Sequence, residues 1–377
     1  MPDLARQRGR PIRIAALDEC EKELAALAAM GGRMIASGDS DYPPALRAID
    51  SSPPLLAVCG NVAALKRPVV AMVGSRNASA AGLAFCERLT RDLGAAGFVV
   101  ASGLARGIDA RAHRSALGNG TIAALAGGLD RIYPAEHIPL AREILECGAI
   151  ISEMPMGYEP RGRDFPRRNR IVSGLSLGVV VIEAARKSGS LITARFASEQ
   201  GREVFAVPGS PLDPRAEGAN GLLREGATLC TRAADIIDAL TPLIESGPLR
   251  TDLFENISAE SDEPLWDELD IEYGVPPRTQ AGHEMDEPGP PLPVNGARRS
   301  PSPAGVTHEM ILGLLGPAPV TLDDLARASG APVASVRAML VDMELSGRIE
   351  RHGGGLVSLL PETPGDTGGA VQPIPGG

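Results

Sequence analysis

From about residue 68 to 240, short runs of β-branched and apolar residues alternate with stretches whose apolar positions recur every three or four residues. That alternation predicts βαβ units wound into a parallel sheet. VVAMV (69–73) leads into GSRNAS and a helix to about Gly94, and FVVAS (98–102) leads into GLARGID and a helix ending near Leu117. TIAAL (121–125), AIIS (149–152), GVVVI (178–182) and EVFAV (203–207) continue the series. Several are apolar at every position, the pattern of strands covered on both faces. The expected fold class is α/β, a Rossmann-like doubly wound parallel sheet.

The pattern changes at both ends of this region. Residues 1–40 hold one helical pattern, IAALDECEKELAALAAMGG, and are expected to be a short helical remnant. The sheet domain is expected over 41–240, entered through GDSDYPPALRAIDSSPPLLAVCGN as a turn, a short helix and a strand. Residues 241–305 turn to Pro, Gly, Ser and acid, too poor in apolar surface to offset the entropy of ordering, and read as a linker with Trp266 as its one distinctive residue. Order returns over 306–362 as three helices and a small hairpin, with Thr321 capping the second helix and Gly347 ending the third. That order describes a winged helix. Its third helix carries Arg337 against Asp342 and Glu344, a poor charge for reading DNA, so a protein contact is favoured at least as well as a DNA one. Residues 363–377, rich in Pro and Gly, are expected to be a disordered tail.

At 377 residues the chain is long enough for more than one unit. Its net charge is −10, but residues 241–305 alone carry 13 acidic against 4 basic side chains, so local charge is the better guide. The decapeptide 161–170 reverses the sign: Arg161, Arg163, Arg167, Arg168 and Arg170 face only Asp164, a net of +4. Guanidinium groups are permanently charged and present a planar fork of donors suited to phosphate. Cys20, Cys59, Cys86, Cys147 and Cys230 form no CxxC pair, and their odd count suits no disulfide framework, which points to a reducing cytoplasm. No signal peptide or membrane-spanning apolar run is read, so a soluble cytoplasmic protein is expected. The five histidines are scattered without metal-ligand spacing, and neither a metal nor a cofactor is expected.

In a parallel sheet the carboxyl ends of all strands lie along one edge, where ligands bind. Gly74, Ser75 and Arg76 follow one strand; Ser102 and Gly103, with Arg106 and Gly107 close behind, follow the next; Ser188, Gly189 and Ser190 open the helix of LITARFASEQ. Each turn offers free backbone N–H groups and a helix N-terminus, which favour an anion. Their convergence beside the arginine run predicts a phosphate-lined groove for a polymer backbone. VPGSP (207–211) is expected on the same rim, and Phe165 and Tyr133 as the aromatic platforms beside it. Glu153 and Glu183, near strand ends, are placed to orient arginines. Asp109 and His113 are four apart on one helix, a pair that more often stabilises its helix than catalyses. No nucleophile elbow, Walker loop or GxGxxG fingerprint is present, and GSRNAS lacks the second and third glycines of a dinucleotide turn.

VGSR (73–76), SGLARGIDARAH (102–113), GTIAALAGGLDRIYPAEH (120–137), FPRRNRIVSGLS (165–176), SGSLITA (188–194) and FAVPGS (205–210) resemble the bacterial DprA/Smf family of DNA-processing proteins. The resemblance runs almost continuously over about residues 40–240, and the C-terminal module is similar to the winged helix of many members. It implies an extended Rossmann fold that binds single-stranded DNA without strong sequence preference, forms a homodimer, protects incoming DNA, and loads the recombinase RecA onto strands displaced from single-strand-binding protein during natural transformation. It assigns Arg76 to DNA most clearly, and matches Arg161 to Arg170 to the basic segment beside the same pocket, with Asn169 and Arg170 in its most family-like part. It implies no catalytic residue. The departure lies at the N-terminus, where many members have a longer helical module; here it is expected to be truncated or absent.

The alternative is a nucleotide-processing enzyme of the lysine-decarboxylase-like or phosphoribohydrolase type. Such enzymes resemble one another in a PGGxGT turn with a catalytic Glu close behind. The comparable turn here is SGSLITA, and the acid that follows is Glu199.

Overall fold

The structure, a computed structural model, describes residues 15–245 and 306–360. The chain opens with α1 (Leu17–Ala29), β1 (Gly32–Ala36), the short α2 (Pro44–Arg47) and β2 (Leu55–Gly60). The βαβ series follows: β3 (Val69–Gly74), α3 (Ala80–Ala95), β4 (Val99–Ser102), α4 (Ile108–Ala116) and β5 (Thr121–Ala124). Then come α5 (Ile138–Cys147), β6 (Ala149–Ser152), α6 (Asp164–Gly174), β7 (Gly178–Ile182), α7 (Gly189–Glu199) and β8 (Glu203–Ala206). The unit closes with α8 (Glu217–Arg224), β9 (Thr228–Leu229) and α9 (Ala233–Glu245).

Nine strands form one sheet in the order β1-β2-β6-β5-β4-β3-β7-β8-β9. The strands from β6 to β9 in that order pair in parallel, while β1 and β2 add an antiparallel edge. Successive residues of one strand serve opposite layers: Val69, Ala71 and Val73 pack into the core beneath α6 and α7, while Val70 and Met72 pack beneath α3, α4 and α9. This two-sided burial explains why the strands read as unbroken apolar runs. Residues 15–40 are joined to the sheet, since β1 pairs with β2 from Gly32 to Ala36 and Leu27 of α1 is buried against Ala57 and Ile144.

Strand order reverses between β3 and β7, chain segments separated by three intervening strands in sequence. At such a switch point the connections leave to opposite faces and a crevice opens beyond the carboxyl ends.

The C-terminal unit comprises α10 (His308–Leu314), β10 (Val320–Thr321), α11 (Leu322–Ser329), α12 (Val333–Leu345), β11 (Ile349–His352) and β12 (Leu356–Leu359), with the strands ordered β10-β12-β11. This is the expected winged helix. Thr321 caps α11 by accepting from the Asp324 N–H at 3.1 Å. The unit is seated on the start of α3: Ala80 joins its core with Ile311, Leu315 and Leu325. Beside that contact, Arg215 donates to the carbonyls of Gly313 at 3.1 Å and Leu315 at 2.8 Å, with Asp213 holding the other side of the guanidinium. Trp266, most of the expected linker and the expected tail lie outside the described residues.

Candidate functional site

The crevice at the switch point is a cavity of about 750 Å³, the size of a small-ligand site. One lip is the loop after β3, with Gly74, Ser75, Arg76 and Asn77; the other is the loop after β7 and the first turn of α7, with Lys187, Ser188, Gly189 and Ser190. The first turns of α6 supply Phe165, Arg168 and Asn169. Ser188 caps α7, its hydroxyl accepting from the Ser190 N–H at 3.3 Å, and the first-turn N–H groups of α6 and α7 bring partial positive charge to the wall.

Arg168 forms the floor. It is buried, and its Nη1 donates to the carbonyls of Gly103 and Ala124, both at 2.5 Å. Gly103 permits this approach, because a Cβ there would fall 2.5 Å from the guanidinium carbon. Burial draws the Arg168 guanidinium down to about 10, against the pull of Asp109, so it remains charged at neutral pH. Burial likewise pushes the Asp109 carboxyl up, opposed by Arg168 and by the N–H groups of Ala105 and Gly103 that it accepts. Gly107, with φ of 72°, carries the same turn past the loop after β3, where a Cβ would lie 2.2 Å from the Ser75 carbonyl.

Arg76 is exposed, and among the described residues no carboxylate partners it. Its guanidinium lies 6.0 Å from the centre of the Phe165 ring, which in turn meets Tyr133 edge to face at 5.4 Å. A cation is thereby held beside the Phe165 ring, itself packed against Tyr133, at the mouth of the cavity. Lys187, which the sequence reading passed over, lines the opposite lip, exposed and without an ion pair among the described residues. Its signal was present, since Arg186 and Lys187 directly precede the helix-capping Ser188.

The structure divides the arginine run. It forms the start of a helix, and successive arginines face different ways. Arg161 and Arg163 are exposed on the approach to α6, with Gly162 between them lining the cavity. Asp164 braces that approach, accepting from the Arg161 N–H at 2.8 Å and the Tyr158 hydroxyl at 3.1 Å. Arg170 turns away from the cavity and is buried against Glu153, which also holds Arg167 at 3.1 Å. Arg106 is bound by Glu136, Nε to Oε1 at 2.7 Å and Nη2 to Oε2 at 3.0 Å.

Other expectations are redistributed. Gly74, Ser75, Arg76, Gly103, Arg168, Asn169, Ser188, Gly189 and Ser190 come together around one cavity. Ser102 does not join them: it is buried, and its hydroxyl donates to the Met72 carbonyl at 2.6 Å. Glu153 orients arginines as anticipated, whereas Glu183 instead accepts from the N–H and hydroxyl of Ser79, fixing the start of α3. The VPGSP turn is not part of the cavity wall; it leads to the Asp213–Arg215 clamp under the winged helix. His113 makes no dyad with Asp109, since its Nδ1 lies 2.7 Å from Thr121 Oγ1 and the Thr121 hydroxyl donates onward to the Val100 carbonyl. Among the described residues no group of His, Cys, Asp or Glu has the arrangement of a metal site, and no helix is long and apolar enough to cross a membrane.

Residues 33–241 match the family model of the DNA recombination-mediator protein A, and residues 295–355 match the DprA winged helix domain. Protein Smf of Escherichia coli is 47% identical over 210 residues, a match spanning 55% of this chain and 56% of that protein. Among solved structures, DNA processing protein A of Streptococcus pneumoniae is similar with a TM-score of 0.56 at 40% identity, covering 59% of this chain and 78% of that one. DNA processing protein A of Helicobacter pylori, described in terms of its single-stranded DNA binding mode, is similar with a TM-score of 0.51 at 30% identity, covering 55% of this chain and 99% of that one.

Proposed function

The chain belongs to the DNA recombination-mediator protein A family, the DprA/Smf proteins, and from that membership we propose that it binds single-stranded DNA at the β3/β7 crevice as a non-enzymatic recombination mediator. In this reading it protects incoming strands in the cytoplasm and passes them to the recombinase RecA during natural transformation, acting as a homodimer on DNA displaced from single-strand-binding protein.

The observation that carries the reading is Arg76. An exposed guanidinium without a carboxylate partner among the described residues, beside Phe165 and at the mouth of a cavity walled by helix N-termini, suits a phosphate with its base against an aromatic face. Lys187 on the opposite lip, and the exposed Arg161 and Arg163 on either side of the cavity-lining Gly162, add positive charge around the mouth. The Helicobacter pylori relative's described binding mode supports the same ligand class.

Glu199, the acid of the enzyme alternative, pairs with Arg195 at 2.8 Å at the far end of α7 and does not line the crevice, which favours the binding reading. The buried Asp109 and His113 are likewise engaged in bracing the fold.

Fluorescence anisotropy of a labelled oligo-dT strand and of its duplex, across a salt series, tests the reading. Preference for the single strand and a logarithmic salt slope of about −3, as expected for four or five neutralised phosphates, would support it. Absence of binding, or a slope near zero, would sink it.

A further inference from the structure

We infer that Glu136 sets the strength of strand binding by competing with phosphate for Arg106, an inference that rests on the single-strand reading of the crevice. Arg106 stands in the turn between β4 and α4, one residue beyond Ala105, which lines the cavity. Glu136 stands in the short 3-10 turn Ala135–His137, directly after the Arg131 to Tyr133 stretch that lines the same side. The two side chains meet in a two-point pair at 2.7 and 3.0 Å, each about half exposed, at 50% and 51%.

The pair is anchored from both sides. Leu104, buried with φ of 62°, directs the Arg106 turn, and its carbonyl accepts from His137 Nδ1 at 2.7 Å. Glu136 and Arg106 are thus held opposite each other by backbone that the fold fixes independently of their own attraction. Arg106 holds the Glu136 carboxyl below the ordinary glutamate value, so the carboxylate is charged wherever the protein would meet DNA.

An exposed ion pair of this kind contributes little to stability, and phosphate offers the guanidinium the same two-point geometry that the carboxylate does. A strand passing the mouth can therefore take Arg106 only by displacing Glu136, whose released charge then lies beside the phosphates. Arg76 and Lys187 have no such competitor among the described residues. Two classes of cation result: one available to any strand, the other engaged only when a strand is held closely enough to displace the carboxylate. Glu136 acts here as a residue that tunes affinity through Arg106.

The test is anisotropy titration of oligo-dT by wild type, Glu136→Gln, Arg106→Ala and the double variant, at several salt concentrations. Glu136→Gln is expected to bind roughly threefold to tenfold more tightly. Its salt slope should steepen by about 0.7, the increment for one additional phosphate on a single strand. In the Arg106→Ala background the same substitution should leave the slope unchanged and give a clearly smaller gain in affinity, that of removing a carboxylate near the phosphates. Unchanged affinity and slope in Glu136→Gln, weaker binding, or a gain of equal size without Arg106 would each overturn the inference. These results differ from failure of the underlying reading, in which wild type itself would not bind oligo-dT at low salt.

Discussion

The guanidinium of Arg168 lies flat against the backbone of Gly103, donating to its carbonyl at 2.5 Å while filling the space that a side chain there would occupy. The fold has thereby placed a permanent charge inside the floor of a crevice, compensated by the Gly103 and Ala124 carbonyls, Asn169 Oδ1 at 3.2 Å and the nearby Asp109. Arg168→Ala leaves Asp109 buried without its counter-charge and should cost about 3 kcal/mol or more of unfolding free energy. Gly103→Ala should destabilise by a smaller amount by displacing the same guanidinium. Urea denaturation followed by circular dichroism checks both, and near-wild-type midpoints would show that the floor tolerates rearrangement.

Arg76 and Arg170 provide the opposite contrast. Arg76→Ala should reduce oligo-dT affinity about tenfold, and lower the magnitude of the salt slope by about 0.7, with the thermal midpoint unchanged. Arg170→Ala should lower the thermal midpoint by several degrees, because it removes the buried one of the two arginine partners of Glu153, while leaving the slope near that of wild type. Paired calorimetry and anisotropy distinguish the two. A slope change in Arg170→Ala without loss of stability would place that residue on the strand.

Burial holds His113 down to about 3, with His137 and Arg168 acting in the same direction. Between roughly pH 6.5 and 3 the unfolded chain takes up a proton that the folded protein refuses, so this contribution is whole above that window and is lost as pH falls, by about 1.4 kcal/mol per pH unit. Asp109, raised by burial, works the other way, its contribution falling as pH rises through the acid range. His113→Asn keeps an N–H for Thr121 and isolates the histidine effect. Its unfolding free energy should fall less steeply than that of wild type between pH 6.5 and 5, and parallel curves would assign the acid sensitivity elsewhere.

The winged helix is clamped rather than merely adjacent. Arg215→Ala removes two hydrogen bonds to the carboxyl end of α10 and leaves Asp213 unpaired. Amide exchange should accelerate at Ile311–Leu315 and at the first turn of α3, with exchange in β3 and β7 unchanged. Equal protection in wild type and variant would mean that the apolar contact through Ala80 suffices alone.

The strands were legible because two-sided burial leaves no polar position to interrupt the apolar runs, and the three turns at the β3, β4 and β7 ends because glycine and capping serine mark where chain must reverse. β1 was not, since its burial alternates and Arg33 within it reads as surface. The grouping of the arginines was misleading for a different reason. Composition shows five charges, but Glu153, which neutralises two of them, Arg167 and Arg170, arrives from another segment that only the closed fold brings near, as Glu136 does for Arg106 outside the run. Ser102 shows the same limit at one residue, as nothing local tells a phosphate-facing hydroxyl from one that donates to Met72 across the neighbouring strand.

The pairing of β3 with β7, residues 70–74 against 178–182, also fixes when the crevice can exist. One lip is synthesised before residue 80 and the other after residue 184, with the floor arginine between them, so no partial chain ending before α7 contains a complete mouth. Closing so long a loop is slow compared with forming the local helices, and the cations remain dispersed until it happens. The capacity to hold an anion therefore emerges late and all at once, as a signature of the finished sheet rather than of any segment within it.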